Sequence, residues 1–425
     1  MNCVIISIGD ELLAGRTVDT NSTFLSGSLK RMGISTSLKI TVPDQPEAIE
    51  EALLQAFNTA DLVITTGGLG PTCDDKTRRV IADFFNLSLN LDEEILKKIE
   101  EKFARRGIPM PEDVRSEAMV PEGFIPLANN EGIAPGLFYK TPKEKNLLVL
   151  PGVPGELKYI FTISFQEILN SFDCVETFET RRFFTTGITE SNLYDIIKNT
   201  LCDFDMSNVA FYPSTLGVEI NLHMKKGDEN DFIKEKLIAD ACQQWCYSRK
   251  HKNIVYSIAE ILKERALSVA AAESCTGGLL SSRLVDIPGA SGWFYGGVVA
   301  YSNDIKTEML GVKEESLIKH GAVSAQVAAE MAIGAAQRMN SDFGLSTTGI
   351  AGPSGGTESK PVGTVYIGVH TPNGTSVRKY RFMGSRGFHR ERSSQAALWM
   401  LYLHLTDNYY NHNWGEGSTQ EDFNA

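Results

Sequence analysis

Short apolar runs alternate with amphipathic stretches through the first third of the chain. CVIISIG is continuously apolar and predicts a buried strand that stops at Gly9. In TNSTFLSGSLKRMG, Leu25, Leu29 and Met32 recur on one helical face, and Gly33 stands where a C-terminal cap belongs. PDQPEAIEEALLQAF offers Asp44 as an N-cap ahead of the stripe Ile49, Leu53 and Phe57. DLVITT and NLLVLPG predict two more strands. This rhythm predicts a mainly parallel sheet with helices on both faces. In such sheets ligands bind beyond the carboxyl ends of the strands. Three loops occupy that position: GDELLAG, GGLGPTCDD and PGVPGE.

The pattern changes between about 171 and 250. FETRRFFTTGI and VAFYPSTLGVEINLHMKKG carry period-two stretches and SNLYDIIKNTL a helical one, which predicts a small α+β module with no catalytic constellation, read as a linker or oligomerisation element. A second alternation starts near residue 253 and ends in a long helix around RERSSQAALWMLYLHL. The expected fold class is α/β, with two α/β domains at 1–170 and 251–406, the connecting module at 171–250, and a polar, frayed tail at 407–425.

Composition narrows the partners. The formal net charge of −12 over 425 residues argues against a direct nucleic-acid surface. No run approaches the roughly 18 apolar residues that span a membrane, and no basic leader precedes the first apolar run, so a cytoplasmic protein is expected. The seven cysteines are scattered without zinc-ligand spacing, and Cys242 and Cys246 read as neighbours on a helix face. Reduced thiols fit that compartment.

The loop TTGGLGPTCDDKT, residues 65–77, poses a chemical problem. A glycine-rich turn exposes backbone N–H groups, and the positive end of a following helix adds to them, so the loop suits an anion such as phosphate. Carboxylates beside phosphate repel it unless a divalent cation lies between. Asp74 and Asp75 are therefore candidate ligands for Mg²⁺ or a similar hard ion bridging to a polyphosphate. The alternative is structural: one aspartate caps the helix through Arg79.

GDELLAGRTVDTNSTFLSGSLKRMG, TTGGLGPTCDDKT, NNEGIAPG and LPGVPGE together resemble the amino-terminal domain of the CinA family, which is related to the molybdopterin-binding fold. The resemblance implies a three-layer α/β domain that hydrolyses ADP-ribose to AMP and ribose 5-phosphate with a divalent metal (Mg, Mn or Co, with potassium as a further candidate). Carried over, Asp10, Glu11, Asp19, Asn21, Gly67, Gly68, Gly70 and Thr72 line the nucleotide site, and Asp74 and Asp75 hold the metal. Ile133 departs from the family, which often has threonine there.

AAESCTGGLL, residues 271–280, puts Ser274 at a strand end, with Thr276, Gly277 and Gly278 opening a helix. A serine there can present its hydroxyl at a pocket mouth while nearby N–H groups stabilise an oxyanion; plain packing of small residues is the other reading. There is no GxSxG, and a Ser-His-Asp triad is not expected. GGVVAYSNDIKTEMLGV supplies a different base. Ser302 is a candidate N-cap, placing Lys306 in the first turns of the next helix, with Tyr301 just before it. At a free pKa of about 10.4, roughly one lysine in 2,500 is neutral at pH 7. Burial that brings the value to about 8 makes roughly a tenth neutral, at a cost near 3 kcal/mol. The alternative for Lys306 is a solvated helix residue.

AESCTGG, GGVVAYSNDIKTEMLGV, TTGIAGPSGG and KPVGTVYIGV are similar to the carboxy-terminal domain of the same family, the nicotinamide mononucleotide deamidase. The resemblance implies Ser274 as nucleophile, Lys306 as general base and Tyr301 as an orienting or proton-relaying partner. It places Thr348 and Gly352 in a wall of the nucleotide pocket. Thr276, Gly277 and Gly278 then bind substrate. Arg386 and Arg390, in MGSRGFHRERSS, are candidate phosphate ligands, with a solvated basic face as the alternative; the family usually has acidic residues at Ser385 and Gly387. His389 is expected at the surface. No metal is required for this chemistry. The resemblance also implies a homodimer. Two rivals stand beside this bifunctional reading: an amino-terminal domain that only binds a pterin or nucleotide, and an interaction scaffold in DNA uptake or damage response.

Overall fold

CVIISIG forms strand β1 (Asn2–Ile8), and its period-two geometry feeds two cores at once. Val4, Ile6 and Ile8 face one hydrophobic layer, and Cys3 and Ile5 the other. The computed structural model describes residues 1–72, 75–169, 178–409, 412 and 418–423. It divides into two units, one of residues 1–179 with 225–227 and one of residues 180–224 with 228–425.

In the first unit, α1 (Thr20–Arg31) follows β1 and buries Leu25 and Leu29; Gly33 closes it at φ 75°, as the Gly33 cap predicts. β2 (Ser35–Val42), α2 (Pro46–Thr59), β3 (Leu62–Thr66) and α3 (Thr77–Phe84) come next, then β4 (Ile125–Leu127), β5 (Gly136–Lys140) and β6 (Asn146–Leu150). The sheet order is β2-β1-β3-β6-β5-β4. The first four strands are parallel, and β5 and β4 add an antiparallel edge. The connection between β5 and β6 is too short for a crossover, so those strands must pair as a hairpin. Asp44 does not cap α2. Pro46 opens that helix behind Gln45, and the Asp44 carboxylate instead accepts the Asp10 N–H at 3.0 Å. Arg79 pairs with Asp83 rather than with a capping aspartate.

Next come β7 (Phe178–Thr185), α4 (Glu190–Thr200), β8 (Val209–Ser214), β9 (Gly217–Lys225), α5 (Glu229–Cys242) and β10 (Cys246–Ser248), which fall in the second unit except at Phe178, Glu179 and Lys225. Their sheet runs β8-β9-β7-β10. Val218, Ile220, Leu222 and Met224 of β9 alternate into a core shared with Leu193, Ile197 and Ile238. Phe184 and Tyr247 turn the other way and pack with Ile254, Val255 and Ile258 of the following domain. Cys242 ends a helix and Cys246 opens a strand, so the pair does not share a helix face.

That domain contains α6 (Ile254–Glu264), β11 (Val269–Glu273), α7 (Leu279–Val285), β12 (Phe294–Val299), α8 (Asn303–Leu310), α9 (Ala325–Met339), β13 (Phe343–Gly349), β14 (Thr364–Thr371), β15 (Gly374–Arg381) and α10 (Arg386–Leu405). A last strand, β16 (Ser418–Phe423), pairs with β15, where the sequence predicts only a frayed tail. The order β12-β11-β13-β14-β15-β16 is parallel as far as β13 and antiparallel beyond it. Both large sheets are thus mixed. Among the described residues no helix is long and apolar enough to cross a membrane.

Candidate active sites

Ser274 stands at the carboxyl end of β11, where the chain leaves the sheet; its N–H still bonds the Thr347 carbonyl of the neighbouring strand at 2.9 Å. Five residues later α7 begins. Gly277 and Gly278 make that turn possible, at φ 58° and 92°, left-handed values that side chains with a Cβ resist. The turn is anchored by a residue that motif reasoning overlooks. Glu273 is fully buried, and its carboxylate accepts N–H bonds from Gly278, Leu280 and Ser281 and the Ser281 hydroxyl, at 2.6–3.0 Å. A buried carboxylate survives only with such bonds, and these also satisfy the helix start. An acidic residue just ahead of a Gly-Gly helix start is the sequence signal for it.

With those donors occupied, two N–H groups of the turn, Cys275 and Thr276, bond no backbone carbonyl among the described residues, the Cys275 N–H lying by its own thiol. Both follow Ser274 directly. The Cys275 thiol is no rival nucleophile, because burial pushes it up to about 12.

Lys306 reaches this corner from α8. The Ser302 hydroxyl caps that helix by accepting the Ile305 N–H at 3.3 Å, as predicted, and one turn on Lys306 turns inward. It is 1 % exposed, which removes the solvated alternative. Its Nζ lies 3.1 Å from Ser274 Oγ and 2.7 Å from the Ala300 carbonyl. Burial lowers its pKa from the ordinary 10.5, and among the described residues no carboxylate pairs with it to restore the charge.

The other predicted residues divide. Tyr301 is 64 % exposed, and its hydroxyl accepts from Arg386 Nη2 at 3.2 Å rather than bonding Ser274 or Lys306. Arg386 also donates to the Gly352 carbonyl at 2.9 Å, joining Tyr301 and the GIAGPSGG loop in one rim. Arg390 donates twice to the Thr276 carbonyl, at 2.9 and 3.0 Å, so it braces the serine turn from behind. Thr276 is buried, its hydroxyl 2.7 Å from that of Thr347. The Thr348 hydroxyl donates to the Ala322 carbonyl at 2.7 Å. His389 is not at the surface: it is buried, with Nδ1 at 2.9 Å from the Ala351 carbonyl.

In the first unit the strand-end loops border a cleft of about 430 Å³ that gathers Glu11, Asp44, Gly67, Gly68, Gly70, Asp75, Glu117, Ile133, Gly152 and Glu156. Gly68 is required by a close approach, since a Cβ there would lie 2.1 Å from Thr77 Oγ1. Asp75 accepts the Thr72 N–H at 3.0 Å and hydroxyl at 2.5 Å, which ties the loop to itself. It does not cap α3. Asp74 lies outside the described residues. Asp10 is exposed beside the cleft.

Asp19 and Asn21 support the cleft without lining it. Asp19 caps α1 through the Ser22 N–H and accepts the Ser7 hydroxyl; part burial works against its charge, but these bonds hold its pKa below the usual value. Asn21 donates to Thr66 Oγ1 and to the Gly152 carbonyl, joining α1 to two loops. Glu117, which no motif marked, is buried at the cleft against Arg78 at 3.4 Å. Burial pushes its carboxyl up to about 7, Asp75 and Glu156 adding to the rise against a long contact with Arg78. Among the described residues no three His, Cys, Asp or Glu side chains converge closely enough to hold a metal by themselves.

Comparison with known proteins agrees with this division. Residues 251–405 match the CinA C-terminal domain, and residues 4–171 match the probable molybdopterin binding domain. A CinA-like protein of Chloroherpeton thalassium is 43 % identical over 411 residues, covering 93 % of this chain and 97 % of that protein. A putative competence-damage inducible protein of Caldicellulosiruptor bescii is 39 % identical over 409 residues, covering 95 % and 99 %. The crystal structure of competence/damage inducible protein CihA from Agrobacterium tumefaciens is 40 % identical where it aligns, covering 36 % of this chain and 93 % of its own, with a TM-score of 0.35. Sequence likeness extending over almost the whole length of both partners, in both halves, places this chain in the CinA family.

Proposed function

We propose that the chain is a hydrolase of pyridine nucleotides with two reactions: deamidation of nicotinamide mononucleotide at Ser274 and hydrolysis of ADP-ribose at the amino-terminal cleft. The observation that carries the first reaction is the 3.1 Å approach of a buried, unpaired lysine amine to a strand-end serine hydroxyl. A neutral Lys306 keeps one N–H on the Ala300 carbonyl and turns its lone pair to Ser274, so that the hydroxyl donates across the same contact. Ser274 Oγ attacks the carboxamide carbon and its proton passes to Nζ. The Cys275 and Thr276 N–H groups receive the oxyanion. Lys306 then gives its proton to the departing nitrogen, ammonia leaves, and an acyl-serine remains. Water, deprotonated by the same amine, releases nicotinate mononucleotide and restores the serine. A general base of this kind contributes about 10²–10⁴-fold. The test is ammonia release: Lys306→Ala and Ser274→Ala should each lose it, and retention by Lys306→Ala would overturn the scheme.

For the second reaction, the carboxylates about the cleft are hard oxygen donors whose mutual repulsion a dication would relieve. Asp75 would hold the ion together with substrate oxygens, the usual arrangement for Mg²⁺ on phosphates. When bound, such an ion polarises phosphoryl oxygens and activates water. Gly67, Gly68 and Gly70 line the same cleft, so main chain borders the place where a diphosphate would lie. Release of AMP from ADP-ribose with Mg²⁺, Mn²⁺ or Co²⁺ is the expected result; no turnover with any of them would leave a binding domain. A homodimer is part of the same proposal and is checked by light scattering.

A further inference from the structure

A second cleft lies within the carboxy-terminal unit, between the small module and α10. It measures about 420 Å³ and is bordered by Thr186, Gly187, Pro213 and Val218 on one side and by Tyr380, Arg381, Phe382, Arg392, Gln395 and Trp399 on the other. It is not the Ser274 corner, since neither Ser274 nor Lys306 lines it.

Three features of its wall stand out. Arg392, Gln395 and Trp399 recur at i, i+3 and i+7, so α10 presents them on one face. Each carries a shielded N–H with no protein acceptor among the described residues: Arg392 Nε, Gln395 Nε2 and Trp399 Nε1. Gln395 and Trp399 are each 3 % exposed. A donor left unsatisfied in a protein interior costs about 1–3 kcal/mol, so this face of α10 would gain from an added acceptor. The charge is one-sided as well. Arg381 and Arg392 have no acidic partner within salt-bridge distance among the described residues, while Glu190 is the sole carboxylate at the border. Arg392 lies instead over the Phe388 ring at 5.1 Å. Two aromatic rings complete this side of the wall: Tyr380 and Phe382 stack at 5.4 Å with 13° between their planes.

Unpaired donors and surplus cations select an acceptor-rich anion, and parallel aromatic rings select a planar group; the volume suits a molecule of mononucleotide size. We propose that this cleft binds a small ring-bearing organic anion, a phosphate or carboxylate, held by Arg392 and the donors of Gln395 and Trp399 with its ring against Tyr380 and Phe382. The site stands independently of the deamidase reaction. Gln395 gives it a physical link to the serine turn, because its Oε1 accepts from Arg283 Nη2 at 2.6 Å and Arg283 belongs to α7.

The test uses the full chain with its four tryptophans replaced by 5-fluorotryptophan, the Trp399 resonance being assigned from Trp399→Phe. AMP and nicotinate mononucleotide (phosphates), nicotinate (a carboxylate) and adenosine (neutral) are titrated while fluorine spectra are recorded. The Trp399 resonance should move with one or more of the anions and not with adenosine. Arg392→Gln should weaken that response about ten-fold or more, and Ala396→Leu, which fills the cleft without touching a charge, should abolish it. Circular dichroism confirms that both variants fold. A resonance that no anion moves at millimolar concentration overturns the proposal. So does one that moves with protein concentration alone, which makes the cleft an interface between copies, or one that responds unchanged in both variants. Ammonia release, measured on the same samples, reports separately on Ser274.

Discussion

Lys306 concentrates the chemistry of the carboxy-terminal site in one side chain. Its depressed pKa means that the folded protein binds fewer protons there than the unfolded chain does. Stability therefore rises with pH through that window. The penalty of burying the ammonium is complete below the folded pKa and gone above about 10.5, the unfolded value. Lys306→Met keeps the stem and removes the charge. It should fold, unfold at higher urea than the parent at neutral pH, and lose that advantage as pH approaches 10; urea titrations at several pH values check this. The same variant should lose ammonia release by about 10²-fold or more. In the parent, kcat/KM should climb with pH through a limb lying below the free-lysine value, and a limb at 10.5 would contradict the buried amine. Ser302 and Gly33 were legible because capping is local. The Ser274–Lys306 contact spans 32 positions; the Ser302 cap made Lys306 a candidate base, with a solvated lysine as the alternative, and motif resemblance supplied the pairing. Tyr301 meets Arg386 rather than Ser274 or Lys306, because adjacency in sequence says nothing about which way a strand-end side chain leaves the sheet.

At the scale of elements, the strand-turn-helix around Ser274 depends on Glu273 and on left-handed glycines. Glu273→Gln should destabilise the protein by about 2 kcal/mol, since one oxygen becomes a donor facing donors. kcat should fall more than KM rises, because the turn that aims Ser274 loosens while the substrate walls stay; denaturant titration and steady-state assays separate the two. Gly277→Ala meets open space, its nearest neighbour being Arg390 Nη2 at 3.8 Å, so only backbone strain at φ 58° opposes it. A loss of about 1–2 kcal/mol is expected. The elements themselves were largely readable. Period-two alternation in β9 and apolar continuity in β1 identify strands, and the stripe of α2 identifies a helix. Strand direction was only partly readable: chain length marks the β5–β6 hairpin, but which neighbour a strand takes depends on where the intervening chain packs.

For the whole molecule, the two halves should respond differently to a chelator. EDTA should abolish AMP formation from ADP-ribose and leave ammonia release from nicotinamide mononucleotide intact, while Ser274→Ala should do the reverse. Loss of both activities in either condition would contradict two independent sites. The small module illustrates a further limit of pattern reading. Its pattern read as a linker or oligomerisation element, and Phe184 and Tyr247 extend into the core of the next domain, so that most of the module shares one unit with that domain.

Periodicity along the chain set the helices and strands, glycine chemistry set the turns, and motif order set the family, since each depends on neighbours within a few residues or on residue identity alone. Burial, partner choice and pairing direction came from the tertiary structure. Asp44 became an acceptor for Asp10 rather than a cap, Arg390 a brace for Thr276, and Glu273 an anchor, because long-range packing decides which donors a buried oxygen meets. A lysine stays an ordinary cation until distant segments close over it and exclude the water that would hold its charge.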